Sequence, residues 1–179
     1  MTREDELIHR IEQGDPDAVE ELVKIYYPEI LRYCLWHAPD RSLAEDAAQE
    51  TFFKAVRYFN HYVHKGKFKA FLYQIAANTC VDMRRKRWLS DFSYEELALD
   101  FACAETGFEE IHSNLFLKQV VCRLPDDLRE IVILRFGQDL TLKEIANIVG
   151  LPLRTVQSRL NSALKRLRKE FEKGGFYES

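Results

Sequence analysis

The stretch Leu140-Thr-Leu-Lys-Glu-Ile-Ala-Asn-Ile-Val-Gly-Leu-Pro-Leu-Arg-Thr-Val-Gln-Ser-Arg-Leu-Asn-Ser-Ala-Leu-Lys-Arg-Leu167 constrains the fold more than any other part of this 179-residue chain. It predicts two helices, 141–149 and 153–172, joined by a tight turn, which is the pattern of a helix-turn-helix. Thr141 and Glu144 have the spacing of a capping box, in which each side chain satisfies an orphan backbone donor. Leu142, Ile145, Ala146 and Val149 make one apolar stripe. Gly150 can take the left-handed conformation that ends a helix, and Pro152 suits the first turn of the next. In the second helix Val156, Leu160, Ala163, Leu164 and Leu167 fall on one face at helical spacing and are expected to look inward. The opposite face presents Arg154, Ser158, Asn161, Ser162, Lys165 and Lys169, the residue types that reach base edges and phosphates from the major groove. A basic amphipathic helix on its own is more often an ordinary solvated surface helix. The paired helices, the Gly-x-Pro turn and the polar outward face together point to DNA.

Composition bounds the rest. Hydrophobic residues make up 46% of the chain, enough for real cores, while seven Gly and five Pro favour helices over a turn-rich β fold. There is no run of about 18 apolar residues, and the acidic start Met1-Thr-Arg-Glu-Asp-Glu does not suit a signal peptide, so a cytoplasmic protein without membrane insertion is expected. Cys34, Cys80, Cys103 and Cys122 are far apart, with no Cys-x-x-Cys pair, and read as reduced, partly buried thiols.

The formal net charge of −3 hides a strong segregation. Residues 65–88 hold seven basic residues against one acidic, and residues 154–173 hold seven against two. Residues 91–110 carry seven acidic and no basic residues, and residues 1–22 carry eight acidic and two basic. Two basic islands are therefore separated by an acidic stretch. The helical pattern weakens between about Ser90 and Thr106, which marks a linker. Before it, helices are predicted over 3–13, 16–37, 43–59 and 67–89; after it, over 108–123, 126–136, 141–149 and 153–172. Gly14 stops the first helix and Asp15-Pro16 starts the second, which is expected to kink or restart at Pro28. Ser42 with Glu45 is read as a capping box for the third, and Pro125 with Asp126 and Asp127 opens the sixth. The result is an all-α chain of two small helical bundles joined by an acidic tether.

Two further surfaces carry information. In the third helix Leu43, Ala47, Ala48, Phe52, Ala55 and Phe59 can face a core, which leaves Asp46, Gln49, Glu50, Phe53 and Arg57 on the other side. Phe53 among charges suits a protein-docking face with an aromatic anchor; the lesser alternatives are that neighbouring helices cover it or that it is one of the single apolar residues common on surfaces. In the fourth helix Phe68, Phe71, Tyr73 and Trp88 interleave with Lys67, Lys69, Arg84, Arg85, Lys86 and Arg87, after a ring-rich loop Tyr58-Phe-Asn-His-Tyr-Val-His64. Aromatic faces stack on unpaired bases while cations follow phosphates. Phe68, Phe71, Leu72, Ile75 and Ala76 are more simply core, four consecutive cations cannot all be, and the loop aromatics fit both readings.

With these motifs in order, the chain resembles bacterial RNA polymerase sigma factors of the sigma-70 family, in particular the small extracytoplasmic-function (ECF) class that keeps only the second and fourth sigma domains. Ala44-Glu-Asp-Ala-Ala-Gln-Glu-Thr-Phe52 is similar to the family's core-binding motif. Phe68-Lys-Ala-Phe-Leu-Tyr-Gln-Ile-Ala-Ala-Asn-Thr-Cys-Val-Asp82 with the cations after it is similar to its −10 segment. Leu124-Pro-Asp-Asp-Leu-Arg-Glu-Ile-Val-Ile-Leu-Arg135 and the helix-turn-helix resemble its −35 domain. Phe71 stands where the family usually has Trp. Arg154-Thr-Val-Gln-Ser-Arg159 replaces a more frequent Gly-Thr-Val-Lys-Ser-Arg, which bears on the −35 base preference.

The resemblance implies a sigma domain 2 over 1–90, a linker over 91–106 and a sigma domain 4 over 107–179. It implies that Asp46, Gln49, Glu50 and Phe53 dock on core RNA polymerase, whose β′ and β subunits are the expected partners. Asn60, His61, Tyr62, His64, Asn78, Arg84, Arg85, Lys86 and Arg87 would melt and hold the −10 promoter strand. Arg154, Thr155, Ser158, Arg159, Asn161, Ser162 and Lys165 would contact the −35 duplex, and an anti-sigma factor would be the regulator. The alternative is a stand-alone helix-turn-helix transcriptional regulator, which leaves the Asp46/Glu50 face and the aromatic-basic helix unexplained. An enzyme is not expected: there is no Gly-rich phosphate loop and no nucleophile-base set, and the spacings His61-x-x-His64 and Cys34-x-x-His37 each lack a third ligand. Neither a metal nor a cofactor is expected.

Overall fold

A computed structural model of the chain describes residues 2–90 and 115–174, and these form eight α-helices. The expected linker over 91–106 and the start of the helix expected over 108–123 lie outside the described residues. Helix α1 (Arg3–Glu12) opens with a capping box of Thr2 and Asp5. Gly14, at φ +83°, turns the chain so that Asp15 caps α2 (Pro16–His37) with Pro16 in its first position. Helix α2 does not restart at Pro28. A proline removes one hydrogen bond from a helix interior, but Leu22 and Tyr26 before it and Ile30, Tyr33 and Cys34 after it are all buried and hold both halves to one course. Helix α3 (Arg41–Tyr58) begins earlier than expected. Its cap is Asp40, which accepts a hydrogen bond from the Leu43 N–H at 2.8 Å, whereas Glu45 is held by Arg41 at 2.8 Å and forms no box with Ser42. A 3₁₀ turn (Phe59–His61) and an extended segment then lead to α4 (Phe68–Ser90).

Burial explains why these four helices pack as one bundle. Helix α3 turns Ala44, Ala47, Ala48, Thr51, Phe52 and Ala55 inward, and its small residues let α2 and α4 approach closely. Phe68, Leu72, Tyr73 and Ala76 meet them from α4.

The second bundle holds α5 (Leu115–Cys122), α6 (Asp126–Val132), α7 (Leu142–Val149) and α8 (Leu153–Lys173). The single helix expected over 126–136 is instead α6 followed by a wider π-helical turn (Ile133–Gly137), closed by the Gln138 N–H donating to the Ile133 carbonyl at 3.0 Å. That turn delivers Gln138 and Leu140 to buried positions. Thr141 and Glu144 form the expected capping box, and Gly150 ends α7 at φ +67°. Along α8, Val156, Leu160, Ala163 and Leu167 are buried as expected, but Leu164 is exposed. Those four residues already fill the strip facing α6 and α7, and position 164 falls at its margin.

The two bundles dock on each other. From the first, α2 and α4 meet the π-helical turn and α7 of the second. Tyr33 donates its hydroxyl to Glu130 Oε1 at 2.5 Å, and His37 Nε2 lies 3.1 Å from Glu130 Oε2. Tyr73 donates to Gln138 Oε1 at 3.0 Å, and Gln74 Nε2 donates to the Asn147 carbonyl at 3.0 Å. The Trp36 indole covers Gly137 so closely that a Cβ there would come 2.9 Å from Nε1. Burial by itself would raise the Glu130 carboxyl, but His37 and Tyr33 hold it below its ordinary value.

Candidate nucleic-acid interface

The outward face of α8 is a shallow groove lined by Arg154, Gln157, Ser158, Asn161, Ser162 and Lys165. These positions repeat at three- and four-residue steps, so one exposed helix face collects them all while the buried strip fixes the helix from behind. Five were expected from sequence. Gln157 was not, although it completes the same period. Two of the expected residues sit differently. Thr155 is half-buried, and Arg159 is turned toward α6, its Nη1 3.5 Å from Asp127 Oδ2.

The loop between α3 and α4 divides the residues expected to meet a DNA strand. Asn60 and His61 are exposed on the 3₁₀ turn, beside an exposed Val63 that the sequence did not single out. Tyr62 and His64 face the protein. The Tyr62 ring lies 4.8 Å from that of Phe71, and Phe68 is close behind. The Tyr62 hydroxyl is 3.1 Å from His64 Nδ1, and His64 Nε2 is 2.8 Å from Asp5 Oδ1. The backbone N–H of Thr2 and then His64 draw the Asp5 carboxyl down to about 2. The first turn of α1 thus braces this loop. Glu4, Asp5 and His64 are close enough together to suggest metal ligands, yet Glu4 accepts the Tyr26 hydroxyl and Asp5 already serves Thr2 and His64.

Along α4, Asn78 and Arg85 are exposed two turns apart on one side, and Lys86 is exposed beside them. Arg84 and Arg87 are half-buried and line a cavity between α2, α3 and α4. Lys86 also borders that cavity at its exposed rim, so of the four cations only Arg85 lies wholly on the outward side. On α3, Asp46, Gln49, Glu50, Phe53 and Arg57 are all exposed, with Phe53 at 64%. Among the described residues no helix covers that ring. Val56, also exposed, widens the apolar patch. Lys54, half-buried, lies 3.8 Å from Glu50 and 3.7 Å from Asp82, tying this face to α4.

An all-α protein whose last two helices form a capped helix-turn-helix with a polar and cationic outward face belongs among DNA-binding proteins. Comparison with known proteins narrows the class. The family described as Sigma-70 region 2 matches residues 22–90, and that described as Sigma-70, region 4 matches residues 122–169. The chain is 28% identical over 175 residues to the ECF RNA polymerase sigma factor SigW of Bacillus subtilis (strain 168), covering 91% of this chain and 94% of SigW. It is 30% identical over 194 residues to the ECF RNA polymerase sigma factor SigD of Mycobacterium tuberculosis (strain ATCC 25618 / H37Rv), covering 98% and 87%. In fold it is similar to the sigma factor RpoE of Bartonella quintana, solved in complex with the anti-sigma factor NepR, with a TM-score of 0.68, 22% identity and coverage of 86% and 96%. The chain belongs to the ECF RNA polymerase sigma factors, which direct transcription initiation at promoters.

Proposed function

We propose that residues 1–90 bind core RNA polymerase and the −10 element, that 91–106 serve as linker, and that 107–179 bind the −35 element. The observation that carries the first assignment is Phe53, exposed between Gln49, Glu50 and Arg57 on a helix whose opposite side is sealed. An uncovered aromatic ring inside a polar rim is the composition of a protein-docking hot spot. Asp46, Gln49, Glu50 and Phe53 are the contacts to polymerase. Asn60, His61, Asn78, Arg85 and Lys86 meet the −10 strand, while Tyr62 and His64 shape the loop that presents it. Arg154, Ser158, Asn161, Ser162 and Lys165 meet the −35 duplex.

The work is done by binding, without covalent chemistry, and the setting is the cytoplasm, where polymerase and promoter are. Unstacking a base costs a few kcal/mol, offset by a protein surface that receives it. The two elements are roughly 25 base pairs apart, about 85 Å at 3.4 Å per pair. Gln74 of α4, bonded to Asn147 of α7, holds the two bundles together, and we infer that this docked form is a resting form that parts on polymerase. An anti-sigma factor, the kind of partner with which RpoE was solved, is a regulator suited to such a form.

The test is run-off transcription with core polymerase. Asp46→Arg with Glu50→Arg should abolish association with core while leaving helical content unchanged. Unaltered binding by the folded double variant overturns the assignment.

A further inference from the structure

Two thiols in the first bundle have no part in the surfaces described above. Cys34 of α2 and Cys80 of α4 are 46 residues apart in sequence, and their sulfurs lie 3.9 Å apart in the core. Their surroundings are unequal. Cys34 is fully sealed, whereas Cys80 forms part of the wall of a cavity of about 320 Å³ shared with His37, Leu43, Met83, Arg84 and Arg87. A water occupies about 30 Å³ of liquid, so a hydroperoxide, only slightly larger, has room to reach Cys80. Arg84, Lys86 and Arg87 bring positive charge to that wall, while Leu43 and Met83 are apolar.

We propose that Cys34 and Cys80 form a peroxide-reactive dithiol, with Cys80 the attacking thiol and Cys34 the resolving one. The Cys80 thiolate attacks one oxygen of hydrogen peroxide. The O–O bond breaks, hydroxide leaves and takes up a proton as water, and Cys80 is left as a sulfenic acid. The Cys34 sulfur then attacks the Cys80 sulfur and the S–O bond breaks. The departing hydroxide takes the Cys34 proton as a second water. Two thiols and one peroxide become one disulfide and two waters.

The geometry is close to what this needs. A disulfide has its sulfurs about 2.05 Å apart, so the pair must close by roughly 1.9 Å. The division of labour also fits the acidity of the two groups. The Cys34 thiol, hydrogen-bonded to Cys80 and buried, is pushed up. The same hydrogen bond draws Cys80 below its ordinary value against the effect of burial, with His37 and Arg84 helping and Glu130 opposing. The thiolate is the reactive form, and cationic neighbours favour it. The plain alternative is two small apolar side chains filling a core.

Peptide mapping of the full-length protein after graded hydrogen peroxide decides between them. The tryptic peptides carrying Cys34 and Cys80 should become linked, with a loss of about 2 Da and reversal by a dithiol reductant. That link should form before the half-buried Cys122 is oxidised. In Cys34→Ser, Cys80 should accumulate as a sulfenic acid trapped by dimedone, and in Cys80→Ser no such adduct should form at Cys34. If both cysteines of the wild-type chain stay reduced at a dose that oxidises Cys122, the pair is only packing. A sulfenic acid at Cys80 without the linked peptide would overturn the resolving role of Cys34, and this readout needs no variant to fold.

Discussion

The inside of each bundle and the seam between the bundles are built from different materials. Within the bundles, α3 offers alanines and Phe52 to α2 and α4, and α8 offers Val156, Leu160, Ala163 and Leu167 to α6 and α7. The seam adds to its apolar contacts, such as Trp36 on Gly137, a polar set: Tyr33 and His37 with Glu130, Tyr73 with Gln138, and Gln74 on a backbone carbonyl. Apolar burial is indifferent to direction and is lost only when the chain unfolds, while a polar seam can exchange its hydrogen bonds for water at modest net cost. Interfaces between domains of one chain are generally more polar than cores, and relative motion is the usual consequence. The molecule is thus made to part at one place and hold at two.

The sharpest way to break that contrast is inside a bundle. Ile145→Ala, at a fully buried site, should cost about 2–5 kcal/mol, read as a shift of the denaturation midpoint of the second bundle. An equal loss on cutting the seam would erase the distinction. Glu130→Ala, which strips Tyr33 and His37 of their acceptor, should instead leave the helices folded and raise the population with parted bundles. Hydrogen bonds to a charged group are each worth about 1.5–3 kcal/mol, so small-angle scattering should report a larger radius of gyration with unchanged helical content.

Acidity offers a gentler cut. Because the folded Glu130 carboxyl lies below its ordinary 4.5, its stabilisation is complete above that value and disappears as pH falls through the folded value. Scattering should therefore show the wild-type seam opening on acidification below about pH 4.5. Glu130→Gln, which cannot ionise, should lack this particular step. The smallest effect belongs to the ends of helices. Thr141→Ala removes the α7 cap and should cost about 1 kcal/mol, read as a lower melting temperature without any change in scattering.

The sequence made the bundles legible and the seam invisible, for a physical reason. Apolar periods of three and four residues are local, so the inward strips of α3 and α8 and the outward groove of α8 could be read directly. Capping boxes at Thr141 and Gly150 at the helix end are local as well. Where two local solutions compete, as at Asp40 and Ser42, adjacency alone does not choose the cap. The pairs that make the seam are separated by 65 to 106 residues, as Tyr73–Gln138 and Arg32–Gln138 show, and no pattern announces them. The same holds for His64, which looked like a strand contact and is braced by Asp5, 59 residues away. The π-helical turn escaped because its apolar pattern is that of an ordinary helix.

The indole of Trp36 resting on Gly137 gives the molecule an optical gauge of its own state. Its ring is half-buried at the junction, so separation of the bundles transfers it to water and its emission should move to longer wavelength. Trp88 is the chain's other tryptophan, and Trp88→Phe leaves Trp36 as the sole emitter. The arrangement also makes position 137 a wedge. Even the single methyl group of Gly137→Ala would meet the ring at 2.9 Å, so the spectrum of the parted state should appear in a chain whose seam hydrogen-bonding groups are all still in place.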